Sequence, residues 1–346
     1  MSLIRTGIRS LQDAPAPDPL VRAAVASLVA GAARRLETET VDVAAFVRQM
    51  HGRPIAEHTE AANEQHYELP PSFFEAVLGP RLKYSSCLYL TGRETLAEAE
   101  DAALAETCVH ADIQDGQTIL ELGCGWGSLS LWMARRYPSA RITAVSNSGP
   151  QRLHIEARAQ ERGLSNLTVV TADMNAFEAP PGQFDRIVSV EMFEHMANWR
   201  ALLERARVWL KPDSRLFLHV FTHKDAPYRF EVSDRSDFIA QYFFTGGLMP
   251  SQDLAGAFPD LFEVEQAWRW SGEHYRRTAD HWLENMDRNG PAVEKAMREA
   301  YGVRNVALWT RRWRRFFMAT AGLFGHAGGT VWGVGHYRLK PAGEAR

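Results

Sequence analysis

Residues 118–147 read TILELGCGWGSLSLWMARRYPSARITAVSN and decide the fold. Residues 119–122 form a short apolar run that predicts a buried strand, and the alternating glycines of residues 123–127 predict a turn that leads into a helix. A second apolar run at residues 141–145 follows at the spacing of a β-α-β unit. The stretch therefore predicts a strand, a glycine turn, a helix and a second strand.

The glycine turn has the features of a nucleotide-binding turn. Glycine allows positive φ angles and a close approach of ligand to backbone, and the helix behind the turn presents free N–H groups. A dinucleotide site has the spacing G-x-G-x-x-G, whereas this chain has Glu121 followed by Gly123, Gly125 and Gly127. That pattern resembles motif I of class I S-adenosylmethionine methyltransferases, where the charge of Glu121 suits a cationic methionine moiety. A purely structural turn is the alternative interpretation.

The composition predicts a globular protein with one catalytic domain and added elements. The chain has 346 residues, 45% of them hydrophobic, and a formal net charge of −3, which argues against nucleic-acid binding through bulk charge. The three cysteines lack metal-ligand spacing, so we expect reduced thiols and no metal site. The N-terminus lacks a secretory signal and no apolar run reaches about 18 residues, which predicts a cytoplasmic protein without membrane insertion.

The pattern beyond residue 147 predicts an α/β fold of the Rossmann-like class I methyltransferase type, with a doubly wound sheet of seven strands. The last two strands are expected to pair like a hairpin. The five further strands are predicted at residues 166–171, 184–190, 216–221, 262–270 and 331–339. Helices are predicted at residues 21–36, 41–50, 73–78, 95–110 and 201–210.

Two parts of the chain lie outside this alternating pattern. Residues 1–75 are predicted to be an N-terminal helical extension, and residues 76–346 the methyltransferase domain. Within that domain, inserts at residues 223–259 and 275–328 are too long for simple loops, so we expect them to pack as helices over the site and to form the substrate pocket. The arginine-rich aromatic run at residues 309–317 predicts an amphipathic helix on a core, in preference to a membrane or nucleic-acid patch.

Polar residues stand at the carboxyl ends of several predicted strands, where doubly wound sheets bind their ligands. Among them Glu191, Glu194 and His195 place two carboxylates and an imidazole within five residues. An amine acceptor is mostly ammonium at neutral pH, and a group that takes its proton contributes about 10²- to 10⁴-fold to the rate. A solvated acidic helix start is the alternative. His219, inside an apolar strand, is open between a structural and a functional role, as are Tyr275, Tyr84 and Ser85.

Taken together, the motifs of residues 43–340 resemble the cyclopropane-fatty-acid synthase superfamily of methyltransferases, and most closely its coclaurine N-methyltransferase branch. The carriers of the resemblance are VRQM at 47–50, YELP at 67–70, KYS at 83–85, TLAEAE at 95–100, LELGCGWGSL at 120–129, EMFEHM at 191–196 and FFTGG at 243–247. The resemblance implies a cofactor, S-adenosylmethionine, and a small-molecule amine as methyl acceptor.

The resemblance also implies residue roles. Glu191, Glu194 and His195 act at the amine, with Glu194 or His195 as the base and Glu191 holding the ammonium or orienting its partner. The predicted substrate pocket contains His219, Phe221, Tyr275 and Trp332. The cofactor-binding residues are predicted to be Tyr84, Ser85, Glu121, Gly123, Gly125, Ser146, Gln151, Asp173 and Met174.

The lipid-modifying branch of the superfamily is the alternative, with methyl or methylene transfer to unsaturated acyl chains. That branch holds a bicarbonate ion with a Cys, a Glu, a His, an Ile and a Tyr, and Glu194, His219 and Tyr275 match three of these positions. Ser86 stands at the Cys position and Phe221 at the Ile position. The branch also tends to have Gly where this chain has Glu191, and a carboxylate there suits an amine better than an alkene.

The carboxyl-terminal region departs from the plant enzymes. They carry Glu-Glu-Trp where this chain has Thr330, Val331 and Trp332, so recognition of a benzylisoquinoline is not predicted. A fold that binds the cofactor without catalysis is a third hypothesis, which the complete set of site residues disfavours. The leading hypothesis is an N-methyltransferase of small amines.

Overall fold

The computed structural model describes residues 14–38, 41–57, 69–230 and 242–343, and the strands in this part of the chain form one large sheet and one short ladder. The strands are β1 (Thr118–Leu122), β2 (Arg141–Ser146), β3 (Leu167–Thr171), β4 (Phe184–Val190), β5 (Leu210–His223), β6 (Tyr228–Arg229), β7 (Leu248–Met249), β8 (Phe262–Ser271) and β9 (Trp332–Pro341). The large sheet has the order β3-β2-β1-β4-β5-β9-β8. Its first five strands run parallel, and β9 lies antiparallel between β5 and β8.

Helices cover the sheet in the described residues. They are α1 (Asp18–Thr38), α2 (Val43–Arg48), α3 (Pro71–Val77), α4 (Leu96–His110), α5 (Ser128–Arg136), α6 (Gly149–Glu161), α7 (Trp199–Trp209), α8 (Gly272–Arg288), α9 (Gly290–Tyr301) and α10 (Val306–Phe324). The Thr95 side chain accepts from the backbone of Glu98, whose carboxylate accepts from Thr95 N–H, so the expected capping box begins α4.

The doubly wound sheet with seven strands is confirmed, and each predicted strand is present within a few residues of its expected bounds. The largest difference is β5, which begins at Leu210 and runs for 14 residues. β1 is buried along its whole length because it lies between β2 and β4 and is covered on both faces. This central strand carries the glycine turn to the carboxyl edge of the sheet.

The two inserts differ from each other. Residues 275–328 are helical as predicted, although α8 already begins at Gly272. The described residues of the insert at 223–259 instead form the ladder of β6 with β7 and a short 3₁₀ turn at Leu254–Gly256, while residues 231–241 lie outside the description. Apart from Tyr242 and this 3₁₀ turn, residues 223–230 and 242–259 are not helical, and the expectation of helices for residues 231–241 lies outside the described residues.

The N-terminal helices pack against the rest of the chain. Val29 and Ala33 of α1 are buried with the aromatic residues of α8 and α10, and Phe46 of α2 belongs to the core beneath the sheet. The predicted boundary after residue 75 falls inside α3. The part of residues 1–75 that the structure describes therefore shares its core with the residues that follow.

The arginine-rich run lies on α10, as an amphipathic helix. Trp313 and Phe317 are fully buried among aromatic rings, whereas Arg314 forms ion pairs with Asp18 and Asp287. The apolar face of this helix is thus covered by the protein itself. Among the described helices, none is long and apolar enough to cross a membrane.

Candidate active site

A cavity opens at the carboxyl ends of β1, β2, β3 and β4, with α8 and α10 on its other side. The predicted site residues that line it are Tyr84, Ser85, Glu121, Gly123, Gly125, Ser146, Gln151, Asp173, Met174, Glu191, His195, Phe221 and Tyr275. Glu194, His219 and Trp332 are predicted site residues that lie outside this lining. Strand topology therefore brings most of the predicted set into one crevice.

The three glycines of the turn have positive φ angles, but for different reasons. A Cβ on Gly123 would lie 2.5 Å from Met192 Cβ, and one on Gly127 would lie 2.6 Å from Ile155 Cγ1, so these two glycines allow close packing. Gly125 has a φ of 51° and nothing within 4 Å of its Cβ position. Its backbone thus faces open space, and a ligand can approach it closely.

Glu121 lies at the base of the cavity and is 2% exposed. Its Oε2 accepts a hydrogen bond of 2.5 Å from Ser130 Oγ. Burial raises the pKa of Glu121 to about 8. Without a cation beside it, this carboxyl is therefore mainly protonated at neutral pH, and a bound cation would favour its ionised form.

Polar groups at the ends of β2 and β3 form the next wall. Ser146 Oγ donates to Gln151 Oε1 over 2.6 Å and accepts from Ser148 N–H over 3.0 Å. Gln151 Nε2 is buried without a hydrogen-bond partner among the described residues. The Asp173 carboxylate accepts from the backbone N–H of Asn175, two residues farther along the chain. A buried amide donor without an acceptor indicates a polar ligand at this wall.

Glu191 directly follows β4 and has a φ of 48°, in the left-handed region that glycine prefers. Its N–H donates to His219 O over 2.8 Å, which holds the turn against β5. A residue with a side chain costs about 1–2 kcal/mol in this conformation. Such strain is typical of functional positions, where it aims a side chain that glycine lacks.

The carboxylate of Glu191 is held by three neighbours. Oε1 accepts from Ser86 N–H over 2.9 Å and lies 3.2 Å from His219 Nε2, while Oε2 accepts from Tyr275 Oη–H over 2.7 Å. The side chain is 8% exposed. Burial raises the pKa of Glu191, and the positive charge of Lys83 opposes this increase.

Glu194 and His195 belong to a short 3₁₀ turn that points them in different directions. His195 lines the cavity, and its ring centre lies 4.3 Å from that of Phe244. Glu194 is fully buried behind the cavity, where its Oε1 accepts from Phe221 N–H over 2.7 Å. Burial, followed by the nearby charge of Glu191, raises the pKa of Glu194 well above its ordinary value. The structure thus separates the two residues that the sequence grouped as alternative bases.

His219 and Trp332, both predicted for the substrate pocket, are fully buried outside the cavity lining. His219 lies behind Glu191, and its described contact on the cavity side is with that carboxylate. Trp332 begins β9, and its indole N–H donates to Tyr228 Oη over 3.1 Å. The side chain thus packs beside Tyr228 of β6 and away from the described lining, and its place in the substrate pocket stays a prediction.

Comparison with known proteins agrees with this geometry. Residues 56–331 match the family described as mycolic acid cyclopropane synthetase. The (S)-coclaurine N-methyltransferase of Thalictrum flavum subsp. glaucum is 36% identical over 306 residues, which cover 87% of this chain and 84% of the relative. The chain belongs to the mycolic acid cyclopropane synthetase family. It is an enzyme, a methyltransferase.

Solved structures of this family share the fold. A coclaurine N-methyltransferase bound to N-methylheliamine and S-adenosylhomocysteine superposes with a TM-score of 0.91 at 31% identity, covering 98% of this chain and 99% of that one. A cyclopropane synthase from Mycobacterium tuberculosis has a TM-score of 0.67 at 25% identity and covers 83% of this chain and 99% of that one. The first complex confirms the predicted cofactor at the level of the family, since S-adenosylhomocysteine is the product of S-adenosylmethionine.

The cavity of this family member fits such a ligand. Gly125 leaves open space at the turn, Gln151 offers an unsatisfied donor, and Glu121 can ionise beside a sulfonium. The residues present therefore fit a sulfonium cofactor, and the roles of the individual cofactor-binding residues stay predictions.

Other cavity residues received no role from the sequence. Lys83 is buried, and its ammonium donates to Ser85 Oγ and Ser86 O, each over 2.6 Å. The KYS motif contained this lysine, but nothing in the motif indicated that its side chain turns inwards. Phe316 also lines the cavity, from the aromatic run of α10. Its role was hidden because helical periodicity assigns a residue to an apolar face without saying what that face covers.

Proposed function

We propose that this enzyme transfers a methyl group from S-adenosylmethionine to the nitrogen of a small amine, in the cytoplasm. The observation that carries the proposal is the position of the Glu191 carboxylate. It lies between Ser86, His219 and Tyr275, three positions that the resemblance assigns to bicarbonate ligands in the lipid-modifying branch. A carboxylate of the chain itself thus takes the place of the diffusible base.

The wall of the cavity favours a cyclic or aromatic ammonium. Its aromatic residues include Phe221, Phe244, Tyr275, Trp282 and Phe316. A cation over such rings gains about 0.5–2 kcal/mol, the higher figure when water is excluded. The amines named for the plant relatives support the same class of acceptor, although the departure at residues 330–332 argues for a different amine.

Glu191 binds the ammonium as its counter-ion and accepts its proton. An alkylammonium has a pKa of about 10, so proton transfer to an ordinary carboxylate is unfavourable. Burial raises the pKa of Glu191, and the same dry surroundings lower that of the ammonium, so the two approach each other. His195, packed on Phe244, lies at the cavity surface and positions the nitrogen.

Glu194 acts indirectly in this proposal. Its carboxyl group fixes the backbone of Phe221 and thereby the aromatic wall. This assignment differs from the role of base expected from the sequence, because the Glu194 side chain does not line the cavity.

The cofactor supplies an electrophilic methyl group, and the chain holds it through the turn and the walls beside it. When bound, the cofactor would approach the backbone at Gly125, its sulfonium would be held near Glu121, and Gln151 would donate a hydrogen bond to one of its polar groups. The neutral nitrogen must then align with the methyl carbon, and the aromatic wall would provide this alignment by restricting the orientations of the acceptor.

A panel of cyclic and aromatic amines incubated with purified enzyme and S-adenosylmethionine tests the proposal. We expect S-adenosylhomocysteine to form with at least one amine, at a rate independent of added bicarbonate. The variant Glu191→Gln tests the role of the carboxylate in the same assay. Its matched control is Glu156→Gln, which replaces a carboxylate on α6 whose side chain is 49% exposed. Turnover of phospholipid vesicles alone, stimulated by bicarbonate, would show that the lipid-modifying alternative is correct.

A further inference from the structure

A continuous line of hydrogen bonds leads from Glu191 to the protein surface. His219 Nε2 lies 3.2 Å from Glu191 Oε1, and its Nδ1 lies 2.8 Å from His336 Nε2. His336 Nδ1 lies 2.8 Å from His110 Nδ1, and His110 Nε2 lies 2.9 Å from Glu106 Oε1. Each of the three imidazoles thus uses both ring nitrogens, one towards the cavity and one towards the surface.

The fold fixes this line through three elements. His219 of β5 and His336 of β9 are direct partners in the antiparallel ladder. His110 is the last residue of α4, which lies across β9, and Glu106 precedes it by one helical turn. His219 and His336 are fully buried and His110 is 6% exposed, whereas the Glu106 side chain is 42% exposed. The line therefore begins in the cavity and ends in solvent.

The line contains one more hydrogen bond than its neutral imidazoles have N–H groups. Three neutral imidazoles carry one N–H each, yet four hydrogen bonds connect the five groups. The proton taken from the substrate is the fourth, and it sits on the carboxyl at one end of the line or at the other. With Glu191 protonated, every bond donates towards the surface; with Glu106 protonated, every bond donates towards the cavity. These two arrangements differ by one proton moved from one end of the line to the other.

We propose that His219, His336 and His110 form a proton relay that carries the proton of the substrate ammonium from Glu191 to Glu106 and into solvent. The inference rests on the proposed function, because the methylation of an ammonium requires the loss of a proton. The three histidines would thus move a proton during the reaction, although they lie buried outside the cavity lining.

The steps balance. The ammonium N–H bond breaks and an O–H bond forms on Glu191. Each imidazole then accepts a proton on the nitrogen facing the cavity and gives up the proton on its other nitrogen, until Glu106 carries an O–H group. Glu106 releases this proton to water, and the neutral amine takes the methyl group to become the product ammonium. Before the next turnover each imidazole ring turns over, so that its N–H faces the surface again and the nitrogen facing the cavity can accept a proton. One proton leaves for each methyl transferred.

The charged groups around the line keep the imidazoles neutral. Burial and the nearby charge of Lys83 lower the pKa of His219 well below its ordinary value, and burial with the neighbouring histidines does the same for His336. At the outer end, burial and Arg338 lower the pKa of His110, against the carboxylate of Glu106. Glu194, Tyr275 and Cys87 are further titratable neighbours of Glu191. Neutral imidazoles pass a proton onward because none of them retains it.

The indole of Trp268 stacks on His110 with ring centres 3.8 Å apart, and the Arg338 guanidinium donates to the His110 carbonyl. These contacts align the plane of the imidazole with its two partners. A donor and an acceptor within hydrogen-bond reach at each joint are what stepwise proton transfer requires.

Glu106→Gln is the central test, because it removes the proton-releasing group at the surface without touching the cavity. The matched control is Glu156→Gln, which also removes one exposed carboxylate of an i,i+4 pair on a helix. His336→Gln interrupts the line at its buried centre. For each protein, kcat is measured against pH in dilute buffer, together with the Kd for S-adenosylmethionine and the Tm.

We expect Glu106→Gln and His336→Gln to lower kcat by about 10²-fold, the lower end of the contribution of a positioned proton transfer, with the cofactor Kd unchanged. Added imidazole restores kcat in Glu106→Gln, since it accepts the proton from His110, but not in His336→Gln. An unchanged kcat and pH profile in Glu106→Gln overturns the relay, as does an equal loss in Glu156→Gln.

The failure of the relay and that of the proposed function can be told apart. A wild-type enzyme that methylates no amine refutes the function, and the relay is then judged by ¹⁵N NMR of the histidines. The relay predicts that His219 exchanges its N–H between Nε2 and Nδ1 as Glu191 titrates, at a pH that Glu106→Gln shifts. One fixed tautomer throughout the titration in both proteins overturns it.

Discussion

Glu121→Gln should stabilise the protein while weakening its binding of the cofactor. Glu121 is buried at the base of the glycine turn, and its described hydrogen bond comes from Ser130. Glutamine has the same size and accepts the same bond. The substitution therefore removes a titrating group from a site that opposes its charge.

The magnitude follows from the pKa of Glu121, which burial raises from 4.5 to about 8. The folded state holds this proton more tightly than the unfolded state, so the penalty is absent below pH 4.5, grows as the pH rises, and reaches its full value above pH 8. One pKa unit corresponds to about 1.4 kcal/mol. At pH 7 the variant should gain up to about 3 kcal/mol in free energy of unfolding, as an upper bound.

Urea unfolding of both proteins without cofactor, at pH 4.5, 7 and 8.5, measures this difference. Calorimetry of S-adenosylmethionine binding at pH 7, in two buffers of different ionisation enthalpy, measures the released proton. We expect proton release by the wild type, a smaller release by Glu121→Gln, and a higher Kd in the variant. Equal stability of the two proteins from pH 4.5 to 8.5 would refute the reasoning, because it would mean that Glu121 is charged in the folded state at no cost.

Three further substitutions test the cavity and the helix packing beside it. Glu191→Gln should lower kcat about 10²- to 10⁴-fold with little change in cofactor Kd, which steady-state kinetics and calorimetry measure. Gly125→Ala should lower the free energy of unfolding by about 1 kcal/mol and raise the cofactor Kd. Gly163→Ala is the control, because Gly163 also has a positive φ and open space at its Cβ position but lies away from the cavity. This control should lose stability without a change in cofactor Kd. Trp313→Ala should cost about 3–5 kcal/mol in urea unfolding, because this indole is fully buried between α3 and α10.

Local patterns were sufficient to predict most of the sheet. Apolar runs separated by helical stretches define strands, and parallel strands place their carboxyl ends at one edge, which is why Gly125, Ser146, Asp173 and Glu191 could be assigned to one crevice. Caps such as that of Thr95 are equally local. Local sequence patterns are less informative where a strand is short and is defined by its pairing partner, as for β6 and β7 in the first insert.

Side-chain direction was the part of the site that the sequence could not provide. Glu194 and His195 are adjacent, yet the 3₁₀ turn sends one behind β5 and the other into the cavity. The contact of His219 with His336 depends on the register of β5 with β9, strands that lie far apart in the chain. Long-range register has no local signature, so a histidine inside a strand stayed open between a structural and a functional role.

The proposed role of Glu191 as the base is the reason why a relay would be needed in this enzyme. A bicarbonate ion that accepts a proton can leave the site and carry the proton with it. A carboxylate bonded to the chain cannot leave, so it must lose its proton in place before the next turnover. Glu191 is enclosed by Ser86, Tyr275 and His219, and among these neighbours His219 is the one that continues towards solvent. In this mechanism, Glu191 and the three histidines therefore depend on each other. The histidine line should have no effect on the rate once Glu191 is replaced. Glu106→Gln should thus lower the rate of the wild type but not that of Glu191→Gln.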